Sequence, residues 1–197
     1  MVKAYYERRA REYDDWYLGL GRFVERDRPA WEEHVAALGP ILASLAPART
    51  LDVACGTGFL TRHLPGALVG LDQSESMLQI ARARMPDNNF VRGDAFSLPF
   101  PDRSFDRVFT SHFYGHLEAG ERERFLAEAR RVAPELVIVD AAVHADVRPE
   151  EWQERVLNDG SHWTVYKRYF VAEELARELG GGAVLHQGRW FVVVRSP

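Results

Sequence analysis

The stretch Thr50–Thr61, TLDVACGTGFLT, decides how the rest of this 197-residue chain is read. Leu51 to Ala54 reads as a buried strand that enters a glycine turn and then a helix. Asp52 stands inside that strand, and an acid in a buried strand is costly unless it is paired or binds something. Gly56 and Gly58 permit a tight turn and a close approach of the backbone to a ligand. Twenty residues after Asp52 a second apolar run, ALVGLD, ends in Asp72. An acid at the tip of the second strand is the usual partner of ribose hydroxyls. The two segments together predict a nucleoside pocket at the carboxyl edge of a parallel sheet. The bland alternative is an α/β domain whose glycines only make a turn. A dinucleotide fingerprint would place a third glycine where this chain has Thr61, which argues against a nicotinamide-dependent dehydrogenase.

Outward from this segment, strands and helices alternate. Pro29 to Ala46 has helical spacing of Trp31, Val35, Leu38, Ile41, Leu42 and Leu45, with Gly39-Pro40 as a candidate break. Phe59 to Leu64 reads as a short helix and Ala67 to Leu71 as the second strand. Ser74 to Met85 reads as a helix capped by Ser74, with Met77, Leu78 and Ala81 on its apolar face. Phe90-Val91 is a third strand running into Gly93-Asp94-Ala95, and Phe105 to Thr110 a fourth. Ala119 to Val132 is an amphipathic helix. Leu136 to Asp140 is a fifth strand, apolar enough to be buried on both faces. Regular alternation fails from Ala141 to Tyr169. Ala172 to Leu179 is helical, and Ala183 to His186 and Trp190 to Arg195 read as two strands about a Gln187-Gly188-Arg189 turn. Repeated strand–helix units predict a parallel sheet with helices on both faces.

Hydrophobic residues make up 46% and charged residues 27% of the chain, an ordinary globular balance. The net charge of −4 gives no broad footprint for nucleic acid. No apolar run reaches membrane-spanning length, and MVKAYYERRARE lacks the apolar core of a signal peptide. Cys55 is the single cysteine, which excludes a disulfide framework and a thiolate zinc site. A cytoplasmic protein of one domain is the expectation. Nothing in the residues sets an oligomeric state.

The pattern D-x-A-C-G-T-G, with LDQSESMLQIARAR (71–84), GDAFSLPFPDRSFDRVFTSHFYGHL (93–117) and EARRVAPELVIVD (128–140), resembles the class I S-adenosylmethionine-dependent methyltransferases, in particular their small-molecule, ubiquinone/menaquinone-type branch. The resemblance is dense from about Thr50 to Asp140 and thin on either side. It implies a Rossmann-like three-layer sandwich whose seven-stranded, mostly parallel sheet ends in an antiparallel C-terminal hairpin. It also implies a division into an N-terminal helical lid and helix (1–46), a cofactor-binding core (47–140), an active-site insertion (141–170) and a C-terminal helix and hairpin (171–197). The implied activity is methyl transfer from S-adenosylmethionine to a small molecule. A non-catalytic subunit or sensor that binds the same cofactor would keep the same motif residues.

The resemblance also assigns roles. Asp72 takes the ribose, Gln73 and Met77 lie beside the adenine, Asp94 and the Ala95 amide meet its edge, and Phe96 adds an apolar side. Asp52 and the backbone at Ala54, Gly56 and Gly58 handle the amino-acid end, with Tyr13 of the lid facing it. The alternative for the first helix is plain packing of its aromatics. Ser111, His112, Tyr114 and His116 follow the fourth strand, where acceptor-side residues belong, and Ser111 is also expected to touch the cofactor. Either histidine is a candidate base for a hydroxyl acceptor, and each has the bland alternative of satisfying a backbone group. Cys55 is not needed, because methyl transfer uses no protein nucleophile. No D/N-P-P-Y/F motif follows the fourth strand, which disfavours methylation of nucleic-acid bases. The segment SHWTVYKR (161–168) offers aromatic surface with Lys167 and Arg168, suited to an aromatic or anionic acceptor or to solvent.

Overall fold

The computed structural model describes residues 2–196. The first segment folds as α1 (Val2–Arg9), a 3-10 turn and α2 (Asp15–Leu18), closed by Gly19 in the left-handed region. Helix α3 (Trp31–Ala43) precedes β1 (Ala48–Val53). Then come β2 (Gly66–Asp72), α4 (Glu75–Arg84), β3 (Asn89–Arg92), β4 (Arg107–Ser111), α5 (Ala119–Val132) and β5 (Glu135–Ala141). The chain finishes with β6 (Glu150–Val156), β7 (His162–Arg168), α6 (Ala172–Glu178), β8 (Ala183–Gln187) and β9 (Phe191–Ser196). Among the described residues no helix is long and apolar enough to cross a membrane.

Seven strands form one sheet in the order β3-β2-β1-β4-β5-β9-β8. The first five are parallel, while β9 runs antiparallel to both β5 and β8. The order reverses between β1 and β4, so the loops after these strands diverge and leave a crevice at their carboxyl ends. Strand β5 shows why a run without polar alternation is needed here. Leu136 and Ile138 enter the core on one face with Phe125, Ala129 and Leu175, and Val137 and Val139 enter the other with Leu38, Leu42 and Phe109. Phe191 to Val194 of β9 repeat this two-sided burial.

Three local expectations are corrected. Helix α3 runs through Gly39-Pro40 unbroken: only the one amide is missing, and the next turn closes by the Ser44 amide donating to the Pro40 carbonyl at 3.0 Å. Phe59 to Leu64 makes only a 3-10 turn at Thr61–His63, because the Leu64 backbone is already extended before Pro65. The irregular stretch after β5 holds an antiparallel hairpin, β6 with β7, as a separate two-stranded sheet. Its sequence signal was present: Asn158-Asp159-Gly160 makes the turn, and β6 alternates exposed and half-buried residues. Tyr5 of α1 packs on this hairpin with Leu157 and Val165, so the first helix and the insertion make one cover over the crevice.

Candidate active site

A cavity opens at the carboxyl ends of β1, β2 and β4. Ten of the twelve residues expected to hold the cofactor line it: Tyr13, Ala54, Gly56, Asp72, Gln73, Met77, Asp94, Ala95, Phe96 and Ser111. The loop after β1 gets there by repeated left-handed steps, with φ of 60° at Ala54, 55° at Gly56 and 72° at Gly58. Ala54 and His112 (φ 51°) are non-glycine residues in this region, and both line the cavity. Such strain collects where the surrounding structure holds a site in place.

Asp72 is clamped at the tip of β2. Its Oδ2 accepts from the Gly56 amide at 2.9 Å and its Oδ1 from the Ser74 amide at 2.8 Å. Burial raises its pKa, opposed by these backbone donors. Each oxygen retains acceptor capacity toward the cavity. Ser74 meanwhile caps α4, its hydroxyl accepting from the Met77 amide at 3.2 Å. Asp94 closes its own turn, accepting the Phe96 amide at 2.9 Å through one oxygen and leaving the other free. Tyr13 lies over the glycine loop; a methyl group on Gly56 would stand 3.6 Å from its ring. The lid is latched there. Thr57 donates its hydroxyl to Asp14 at 2.6 Å, Arg84 pairs with Asp14, and Arg84 also donates to the Thr57 carbonyl at 2.7 Å. Glu7 of α1 accepts the amide and hydroxyl of Ser76 on α4.

Two cofactor-binding expectations fall outside the cavity. Asp52 is fully buried and accepts from the Thr61 hydroxyl at 2.5 Å, so it braces the loop rather than lining the site. Gly58 faces α4, where a methyl group would come within 2.5 Å of Met85. Its absent side chain serves helix packing. Tyr114, expected on the acceptor side, is wholly buried, with its hydroxyl donating to Glu178 at 2.7 Å; it lines neither cavity. The 3-10 turn Tyr114–His116 points it into the core while Phe113 and His116 line the first cavity. Cys55 is buried and its thiol is pushed up by burial, which suits packing rather than attack.

His112 and His116 line the first cavity and also a second, of about 310 Å³, beneath α1 and the β6–β7 hairpin. Tyr6 and Tyr13 are shared in the same way. The His116 Nδ1 lies 2.7 Å from the Tyr166 carbonyl, which can only accept, so Nδ1 carries the proton and Nε2 is left as an acceptor. Burial holds its pKa well below the ordinary range. His112 packs edge-on against Trp16, Tyr17 and Phe191, and its buried Nε2 has no partner among the described residues. Burial takes its pKa down to about 3, against the pull of Asp140, whose carboxylate is 3.9 Å away. Both rings are therefore neutral at pH 7.

The second cavity was mostly hidden from the sequence. Tyr6 and Arg9 share a helical face, and Lys167 had been singled out for an anionic or aromatic acceptor. Arg168 instead pairs with Glu178 at 2.8 Å, away from the cavity. Arg22, Arg26, Arg155 and Tyr169 complete the lining with no motif to announce them.

The depressed His112 pKa makes a stability prediction. The unfolded chain protonates this histidine near pH 6.5, whereas the folded chain holds it neutral to about pH 3. Between those values the unfolded state binds more protons, so stability falls as pH is lowered from 7 to 4. The slope contributed approaches 1.36 kcal/mol per pH unit for one full proton. Urea unfolding of His112→Asn, a residue that tolerates the left-handed backbone, should show that slope reduced by about one proton. An unaltered slope would mean that the ring is not desolvated.

Comparison with known proteins agrees with this geometry. Residues 51–135 match the family described as "Methyltransferase domain". The demethylmenaquinone methyltransferase of Thermotoga maritima is 39% identical over 107 residues, covering 52% of this chain and 44% of the relative. The phthiotriol/phenolphthiotriol dimycocerosates methyltransferase 1 of Mycobacterium ulcerans is 39% identical over 123 residues, covering 55% and 42%. Among solved structures, a complex of DhpI with SAH superposes with a TM-score of 0.75 at 29% identity, covering 98% of this chain and 92% of that one. A complex titled DhpI-SAM-HEP gives 0.76 at 26% identity, covering 98% and 95%. The fold and the domain are those of the class I S-adenosylmethionine-dependent methyltransferases. The demethylmenaquinone methyltransferases among the relatives place this resemblance on the menaquinone-type side of the class. The match spans less than half the length of these two curated relatives.

Proposed function

We propose that this chain transfers a methyl group from S-adenosylmethionine to a small-molecule acceptor by direct displacement. One observation carries the reading: the cofactor-type cavity and the second cavity meet at Tyr6, Tyr13, His112 and His116. A protein that only sensed the cofactor would not need the second cavity. The donor set suits the cofactor, with a clamped carboxylate for ribose hydroxyls, the Asp94–Phe96 turn for adenine, and the open loop backbone at Ala54 and Gly56 for the amino-acid end. When bound, the cofactor would supply an electrophilic methyl group to an oxygen, nitrogen, carbon or sulfur atom of the acceptor, its sulfur keeping the electron pair of the broken carbon–sulfur bond. The chain aligns that line of approach and excludes water with the two lid tyrosines. His116 is assigned the acceptor's proton through its free Nε2, with His112 as the neighbouring alternative. Action in the cytoplasm, without nucleic acid or membrane, belongs to the same proposal and is supported by the net charge of −4 and the sole, buried cysteine.

The test is ligand-dependent stability. S-adenosylhomocysteine at 100 times its dissociation constant should add about 2.7 kcal/mol, visible as a rise in melting temperature, and NAD should add nothing. By calorimetry, Asp72→Ala should lose about 1.5–3 kcal/mol of that affinity, roughly ten- to a hundredfold. Asp72→Asn should lose less, since it keeps one acceptor. Selective stabilisation by NAD, or full affinity in Asp72→Ala, would overturn the assignment.

A further inference from the structure

The second cavity has a charge pattern that the methyl-transfer chemistry does not require. Five cationic side chains line it: Arg9, Arg22, Arg26, Arg155 and Lys167. Lys167 is neutralised, its Nζ donating to buried Asp140 at 2.6 Å. The four arginines form no ion pair with a carboxylate among the described residues. Arg9 donates to the Tyr5 hydroxyl at 2.9 Å and lies over the Tyr13 ring at 4.9 Å. Arg22 donates to the Leu157 carbonyl at 2.7 Å, Arg155 to the side chain of Gln153, and Arg26 stacks on Phe23 at 4.8 Å. The two acids in the lining are engaged elsewhere: Glu12 accepts the Asn158 amide, and Glu154 holds His162. Burial lowers the pKa of Arg26, and the charges of Arg155, Arg9 and Arg22 lower it further.

Four guanidinium groups around one cavity, none in an ion pair and outnumbering the two carboxylates of the lining, form a binding site for an anion. We infer that the methyl acceptor is a small molecule bearing an oxyanion, a carboxylate or a phosphoryl group, which docks among these arginines and presents its nucleophilic atom at His112 and His116. The inference rests on the methyltransferase reading and names the acceptor class for that site. The arginines come from α1, the segment before α3 and the β6–β7 hairpin, so the anion bridges the three parts of the cover. The aromatic lining supplied by Tyr5, Trp16 and Tyr169 leaves room for an apolar body between oxyanion and nucleophile.

The experiment is a calorimetric titration at constant ionic strength with methylphosphonate and with acetate as probes, and acetamide as the neutral control. Each is run with and without S-adenosylhomocysteine. Saturable binding of at least one anion, and none of acetamide, is expected. The double variant Arg26→Gln/Arg155→Gln should weaken the anion about tenfold or more, while its affinity for S-adenosylhomocysteine stays within twofold, because neither residue lines the cofactor cavity. Selective binding of the phosphonate over acetate assigns a phosphoryl group, and the converse a carboxylate. Absence of anion binding, or equal binding to the double variant, overturns the inference. Failure of S-adenosylhomocysteine to bind overturns the methyltransferase reading instead, and the anion titration without it still decides the cavity's charge preference.

Discussion

Replacing His116 with glutamine should lower turnover by roughly 10²–10⁴ while cofactor affinity stays nearly unchanged, once an acceptor with a hydroxyl is in hand. On the role proposed for His116, the orientation of its ring accounts for the size of the effect. The Tyr166 carbonyl fixes the proton on Nδ1, and Nε2 is left without one at a point shared by both cavities. Burial holds the ring neutral, so wild-type turnover should be level from pH 6 to 9 rather than falling below the ordinary histidine pKa. His112→Asn should cost less, since that ring is packed by aromatics and takes no orienting hydrogen bond from the backbone. Tyr114→Phe should leave the chemical step alone, its hydroxyl being spent on Glu178. Losses under about tenfold in both histidine variants would assign the rate to alignment instead.

Asp140→Ala should destabilise the fold by about 3–5 kcal/mol. Asp140 is fully buried at the end of β5 and accepts from Lys167 Nζ at 2.6 Å, the Gly115 amide at 2.7 Å and its own neighbour's amide, Ala141, at 2.8 Å. Burial raises its pKa, but the charge and hydrogen bond of Lys167, with His112 and His116 adding to them, together hold it below the usual carboxylate range. Removing the acid strands a buried ammonium group and a buried amide at once. Urea unfolding checks the magnitude. The double variant Asp140→Ala/Lys167→Met should recover a large part of the loss, because no unpaired charge is left behind. A single-variant loss under 1 kcal/mol would mean that water reaches the pair.

The lining of the first cavity was largely legible because most of its residues sit in short segments that each follow a strand. The spacing of Asp52, Gly56 and Asp72 already implies β1, a turn and β2, and register does the rest. Thr61 is instructive. Read as a missing glycine, it argued against a dinucleotide; in the structure its hydroxyl donates to one oxygen of Asp52, the acid whose burial was the first puzzle, while the other oxygen has no partner among the described residues. Asp52 itself was misplaced because sequence shows that a buried acid needs a partner, not which side the partner lies on. Tyr114 was misplaced because a 3-10 turn sends adjacent residues in different directions. The arginine cavity was illegible for a different reason. Arg9 and Arg155 stand far apart in the chain, and they meet only because Tyr5 packs α1 on a hairpin whose charged face disguised its strands.

The tyrosines at 6 and 13 also constrain timing. They stand on one short helical segment yet form part of the wall of both chambers. One wall therefore serves two chambers, fastened to the glycine loop by the Asp14–Thr57–Arg84 contacts. Residence times become linked: an anion bridging the cover should slow departure of S-adenosylhomocysteine, measurable as a smaller off-rate in stopped flow.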